Sequence, residues 1–538
     1  MTSAKFDYIV VGAGSAGCVL AARLSEDASK RVLLLEAGRH YRHPYMRMPA
    51  AFYMLMDNAS LMWDYQSQPE PFADNRSLPL HRGRLLGGTG AINGMTYARG
   101  APADYDDWVT LGATGWSYID VLPYFKKSER NWRGETAYHG GAGPMGVTQM
   151  KVDGDPLYEA FMAMAKAKGH KTTDDYCGEH LEGFARIELT TYKGHRSSTA
   201  EGFLLPAMGR PNLTVMANSP VQRILFHGDR AIGVECLQRG QLHQFYSERE
   251  VVLSGGSYNS PQMLMLAGIG RPDELRAAGV KPFHELMGVG QNLQDHNTAH
   301  MLYAASKPIT FHRELRFDRA ALSVLRWWFT GTGPMAQMPL TCWAARKSLP
   351  ELDRPDITFF VSPVALADRV WIPGLRKGAG HKITARNTLR DPESRGAVRL
   401  ASANPNDAPM VLANLLKEHA DVRTFTRALR QTREMMASEP VASLIEKELL
   451  PGPACQSDAD FETYLRKSAR TSCHPCGTCA MGRDDDPNAV LDARLRVRGL
   501  KGLRVADASV MPRIPGGNLN APTIMVAEKA ADLIKEDA

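Results

Sequence analysis

Gly12-Ala13-Gly14-Ser15-Ala16-Gly17 stands between an apolar run, Phe6 to Val11, and a stretch from Cys18 to Leu24 suited to a buried helix. A second apolar run, Arg31 to Leu35, ends in Glu36. Strand, glycine turn, helix, strand and acid, in that order, make a dinucleotide-binding unit. In such a unit Gly12 allows the tight turn, Gly14 lets backbone approach a pyrophosphate, and Gly17 lets the helix pack on the strand. The helix N-terminus faces the phosphates, and Glu36 can accept a hydrogen bond from a ribose hydroxyl. An acid at the end of the second strand favours a ribose without a 2′-phosphate. The unit alone does not separate FAD from NAD.

Two further clusters could do chemistry. Gly83 to Gly100 holds six glycines in eighteen residues, so its backbone lies close to something large and flat. Leu85, Leu86, Ile92 and Met95 within it argue against a surface loop, which would be polar. Cys473, Cys476 and Cys479 surround His474 with the spacing of three iron–sulfur ligands. The fourth position of that pattern is Arg483, and Gly477 stands where a haem attachment needs His. These cysteines therefore read as small, soft residues packed around a pocket that Cys473 lines, with no metal.

The elements that must position these residues follow along the chain. Residues 40 to 80 are aromatic, Met-rich and broken by prolines, and read as a long excursion over the cofactor. Arg249 to Leu253 is a short strand ending in Gly255-Gly256, and Ser260-Pro261 opens an apolar helix that closes at Gly268-Ile269-Gly270. Residues 300 to 465 alternate strands and helices with no glycine motif, as a second layer on a different sheet would. Residues 498 to 507 form one more strand ending in Asp507. Asn520-Ala521-Pro522 then caps a final helix from Thr523 to about Lys535, with Ala527, Ala530, Ala531 and Ile534 on one face.

Length and charge bound the rest. At about 150 residues per domain, 538 residues make two to four domains. Lys plus Arg number 64 against 58 Asp plus Glu, and the longest like-charge run is Asp484 to Asp486, so there is no nucleic-acid footprint. Eight Cys are too few for a disulfide scaffold and fit a reducing compartment. Met1 to Tyr8 shows no secretory signal, and no apolar run reaches the ~18 residues of a membrane span. The expectation is a soluble, cytoplasmic protein, at most peripheral at the inner face of a membrane.

Taken together the motifs resemble the glucose–methanol–choline (GMC) family of FAD-dependent oxidoreductases. The resemblance rests on five blocks in the family's order: the GAGSAG turn with Glu36; Gly83 to Gly100; Gly255 to Gly270; Gly288 to His296 (GVGQNLQDH); and His474 to Thr523. The bacterial choline dehydrogenase-like and primary-alcohol dehydrogenase branches are the most similar, through Gly517 to Met525. The resemblance implies an α/β protein with a Rossmann-like FAD domain assembled from residues 1–41, 81–149, 213–299 and 466–538. A substrate domain on a mostly antiparallel sheet flanked by helices would take 42–80, 150–212 and 300–465.

Carried over residue by residue, Gly12, Gly14, Ser15 and Gly17 match the pyrophosphate turn, and Glu36 the adenosine-ribose acid. Leu86, Gly88, Asn93, Gly94, Met95 and Thr96 match the loop along the isoalloxazine, and Val221 the backbone that meets adenine. Asp507 and Ala508 match the strand end near the ribityl chain, and Pro522 and Thr523 the start of the last helix by the flavin. His474 matches the catalytic histidine and Asn520 its partner. Ile92 stands where members with covalent flavin carry His, so the FAD should be non-covalent.

The implied reaction is oxidation of a primary alcohol to an aldehyde. A base takes the hydroxyl proton while the carbon-bound hydride goes to flavin N5. A positioned His is worth roughly 10²–10⁴ in rate as that base. Asn520 would donate to the developing alkoxide. Electrons would pass to a quinone-type acceptor. The alternatives are an oxygen-using alcohol oxidase and a flavin-containing hydroxynitrile lyase. Choline, aryl and aliphatic alcohols all remain open as substrates.

Overall fold

The computed structural model describes residues 5–40, 43–56, 58–365 and 368–537. Residues 1–4, half of the N-terminal segment inspected above for a signal, lie outside it.

Two sheets organise the chain. The first has seven strands. Its parallel part runs in the order Leu213–Met216, Val32–Leu35, Lys5–Val11, the second half of Gln241–Leu253, and Leu503–Val505. The first half of Gln241–Leu253 instead pairs antiparallel with Arg230–Gln238, which pairs with Val221–His227. Val32 to Leu35 is buried throughout, as a strand covered on both faces requires. The helices Ser15–Leu24 and Asn520–Glu536 lie against one another. Arg23 donates from Nε and Nη2 to the two oxygens of buried Glu528, each at 2.8 Å, which satisfies a carboxylate that would otherwise be costly to bury.

The second sheet is antiparallel, in the order Ile445–Leu450, Asn297–Ala305, Lys382–Leu389, Ile357–Ser362, Cys342–Arg346 and Gly183–Ala185. Side chains alternate across it with period two. Ile357, Phe359, Val361, Ile383 and Ala385 pack into a core with Phe425 and Leu429 of the helix His419–Met436. The intervening residues face the other way, into the cavity between the sheets.

The final helix differs from its sequence-based reading. It begins at Asn520, not Thr523, and Leu519 occupies the cap position without a side-chain cap bond. Asn520 is not free to cap because its carboxamide is engaged elsewhere, as described below. The helix after Gly255 likewise starts at Gly256, four residues before Ser260. The 498–507 stretch is a strand only over Leu503–Val505.

Candidate active site

A cavity of about 920 Å³ runs from the glycine turn to the face of the second sheet. That is near the upper end of the range usual for ligand pockets. At one end Gly12 has φ +99°, and a Cβ there would lie 2.6 Å from the Ser254 carbonyl oxygen. A Cβ on Gly17 would collide with the Gly12 carbonyl oxygen. A Cβ on Gly14 would meet nothing within 4 Å, so the turn presents bare backbone to open cavity. That is the cradle a pyrophosphate needs at a helix N-terminus. Glu36 lines the same end. Its Oε2 accepts from Ala13 N at 2.8 Å and its Oε1 from Gly38 N at 2.7 Å, while burial pushes its carboxyl up to about 7. Asp507 closes this end, accepting from Gly256 N and Ser260 Oγ.

Most of the residues singled out from sequence border this space: Gly12, Gly14, Ser15, Glu36, Gly88, Asn93, Gly94, Met95, Thr96, Val221, His474, Asp507, Ala508, Asn520 and Thr523. Gly17, Leu86 and Pro522 do not. Gly17 packs helix on turn, Leu86 belongs to the main hydrophobic core, and Pro522 is buried in the first turn of the last helix. Asn93 is held by buried Arg196, whose Nη1 donates to its carbonyl at 2.7 Å and its Oδ1 at 2.9 Å. Among the described residues, no group of three or more His, Cys, Asp or Glu is placed to hold a metal. Cys473 borders the cavity, whereas Cys476 and Cys479 are buried.

The two C-terminal candidates do not meet. Asn520 Oδ1 accepts from Ser15 Oγ at 2.7 Å, which ties the last helix to the glycine turn. The side chain on His474 is Asn518, whose Nδ2 lies 3.2 Å from His474 Nε2. The structure thus brings Asn518, and not Asn520, to the side chain of His474. The two residues straddle the start of the helix, which turns Asn520 away.

His474 has a second neighbour. His296 Nδ1 lies 2.9 Å from His474 Nδ1, with the rings nearly perpendicular, and His296 Nε2 lies 3.0 Å from the Arg390 carbonyl. Burial holds His296 down to about 3, so its ring carries one proton. A carbonyl only accepts, so that proton is on Nε2, and Nδ1 presents its lone pair to His474. His474 then carries its proton on Nδ1. Burial, with the charges of nearby Arg82 and Arg386 adding to it, keeps His474 neutral too. Its Nε2 is left with a free lone pair facing Asn518 and the cavity. Which nitrogen is basic is thus set by the bond the other one makes.

The Gly288–His296 block positions this chain. Asp295 Oδ1 accepts from His474 N at 2.8 Å. Gln294 donates from Nε2 to the Pro512 carbonyl and accepts from Ile514 N through Oε1, each at 3.1 Å. One short segment therefore holds both loops that carry His474 and Asn518. His296, Asp295 and Asn518 were not assigned roles from sequence. The available signals were the first Asn in the GNLN stretch and the polar run at the end of GVGQNLQDH.

Comparison with known proteins gives the family. Residues 6–298 match the family model of the GMC oxidoreductase N-terminal region, and residues 392–527 match that of the C-terminal region. Mitochondrial choline dehydrogenase of Mus musculus is 42% identical over 539 residues, covering 99% of this chain and 89% of the relative. Oxygen-dependent choline dehydrogenase of Chromohalobacter salexigens is 42% identical over 535 residues, covering 99% and 95%. Among solved structures, pyridoxine 4-oxidase from Mesorbium loti superposes with a TM-score of 0.88 at 32% identity, over 98% of each chain. The chain belongs to the GMC oxidoreductase family, an α/β fold, and is an FAD-dependent oxidoreductase acting on a CH–OH group.

Proposed function

We propose that this GMC oxidoreductase oxidises a primary alcohol to an aldehyde with His474 as general base and Asn518 as the donor to the forming alkoxide. The observation that supports it is the directed chain from the Arg390 carbonyl through His296 and His474 to Asn518. FAD supplies the hydride acceptor when bound. The glycine turn and the N-terminus of Ser15–Leu24 would hold its pyrophosphate, Glu36 its adenosine ribose, and residues 88–96 its ring system. An alcohol hydroxyl entering between His474 and Asn518 displaces their contact, gives its proton to Nε2, and keeps a hydrogen bond from the Asn518 amide. Because both donor and base are already oriented, little reorganisation accompanies the reaction. Ile92, on the cavity wall, offers no nucleophile for attachment, so the FAD is non-covalent. Acid precipitation should leave the yellow colour in the supernatant.

Residues 1–41, 81–149, 213–299 and 466–538 make the FAD-binding part in this reading, except that Asn297–Ala305 and Arg470–Thr471 give their strands to the second sheet. The electron acceptor is a quinone drawn from a membrane surface. Supporting this, the helix Phe317–Thr330 exposes Phe317, Leu322, Leu325, Trp328 and Phe329 on one face, with Arg319 and Arg326 beside them. That pattern suits shallow insertion among anionic headgroups. No helix among the described residues is long and apolar enough to cross a membrane. Anaerobic mixing of the holoenzyme with a series of alcohols tests the reaction: the flavin absorbance bleaches with a good substrate. Bleaching by none of them would overturn alcohol oxidation. Faster reoxidation by oxygen than by a soluble quinone would overturn the acceptor.

A further inference from the structure

The cavity wall opposite the glycine turn is built from three strands in register. His300 pairs with Arg386, and Arg386 with Phe360; the next row is Thr298, Thr388 and Thr358. All six border the cavity, beside His474. This wall carries hydroxyls, an imidazole and a guanidinium, and no carboxylate.

Arg386 is unusual within it. Its guanidinium lies 4.3 Å over the Phe360 ring, and among the described residues it makes no ion pair. Its Nε is buried with no hydrogen-bond partner. His300 Nδ1, one strand away, is likewise buried and unpartnered. Burying a cation and its donors without a partner costs stability, which a ligand that supplies the counter-charge recovers. Stacking on Phe360 fixes the plane of the guanidinium, and a planar fork of N–H donors matches a carboxylate in two places at once.

The acids that border the cavity are Glu36, Asp64, Asp407 and Asp507, and none of them is on this wall. Glu36 and Asp507 take backbone amides at the glycine turn. Asp407 bonds Ser402 and Asn404 of its own loop. Asp295 sits behind His474, on its backbone N–H. Trp343 stacks on Tyr176, Trp371 on His312, and the face of Trp63 is covered by Arg84 at 4.5 Å.

We propose that the substrate is an alcohol carrying a carboxylate, a hydroxy acid, whose carboxylate pairs with Arg386 while its hydroxyl meets His474 and Asn518. This rests on the alcohol-oxidation reading above. Arg386 sets specificity, with His300 as a second donor.

The test is anaerobic flavin reduction of the holoenzyme by primary ω-hydroxy acids of two to six carbons, by the neutral alcohols of the same length, and by choline. A direct titration with butanoate, read by calorimetry, accompanies it. At least one hydroxy acid should exceed its neutral counterpart in kcat/KM by tenfold or more, and choline should be the poorest. Arg386→Met should remove that preference and weaken butanoate by about 10- to 150-fold, the worth of a charge-assisted hydrogen bond. Arg386→Lys should keep part of both, and retained FAD absorbance shows that the variants fold. Choline or the neutral alcohols outperforming every hydroxy acid would overturn the proposal, as would a hydroxy-acid preference that survives Arg386→Met. If no alcohol reduces the flavin, the oxidation reading fails by itself, and the butanoate titration still reports on Arg386.

Discussion

Replacing His296 with Leu tests the tautomer lock directly. His296 bonds the Arg390 carbonyl on one side and is the acceptor for the proton on His474 Nδ1 on the other. Leu fills similar space and accepts nothing. A neutral hydrogen bond contributes about 0.5–1.5 kcal/mol net, and a buried N–H left without a partner costs about 1–3 kcal/mol. Losing about 1–3 kcal/mol of preference for Nδ1–H moves the proton to Nε2, where it blocks the base. At about 1.4 kcal/mol per decade, flavin reduction should slow by roughly 5- to 150-fold. The assay is anaerobic stopped-flow reduction at saturating alcohol, with FAD content measured beforehand. His296→Gln keeps an oxygen acceptor and an amide donor on one side chain and should recover part of the rate. Because burial holds His296 down to about 3 and His474 well below its ordinary value, the wild-type rate should stay flat as pH falls to about 6.5 and drop only further down. Wild-type reduction by a FAD-replete His296→Leu variant would refute the lock.

Other outcomes follow from the same geometry. Asn518→Ala should lower the flavin-reduction rate by about 10²–10³, whereas Asn520→Ala should act on FAD retention through Ser15; the reverse pattern in stopped-flow and gel filtration would restore Asn520 as the partner. Glu36→Ala should weaken FAD by roughly 10- to 150-fold, seen as flavin lost on dilution, because it removes the ribose acceptor and also strands Ala13 N and Gly38 N. His139 is buried, and against that burial Asp175 and Glu129 push its pKa up to about 9. Its folded-state value lies above the unfolded one, so its contribution is complete below about 6.5 and is lost as pH rises through 9; thermal melts of His139→Gln should show a flatter decline in that window.

How much of this was legible in the sequence depended on distance along the chain. The glycine turn, its flanking strands and Glu36 lie within about thirty residues, so their types and order carry the geometry. The resemblance placed His474, Asp507 and the Asn93 loop on one cavity, which they border. Which of Asn518 and Asn520 lies beside His474 was not legible, for a local reason. Two residues apart at a helix start, they point to different partners, and the choice turns on where the first helical residue falls. That depends on Ser15, which is 505 positions away.

The second sheet shows the complementary limit. Its alternation is present in the sequence: Thr298 and His300, Thr358, Phe360 and Ser362, Thr384, Arg386 and Thr388 interleave with residues that, apart from Asn387, are apolar and meet the helix His419–Met436. Each strand alone reads as half-buried with a polar face. What no strand shows alone is the register that lines His300, Arg386 and Phe360 into one row. His474 and Asn518 sit instead on loops clamped by Gln294 and Asp295. Chemistry and substrate choice therefore rest on different supports. Side chains on the sheet face can change from acidic to neutral to cationic without shifting the hydrogen bonds that orient His474.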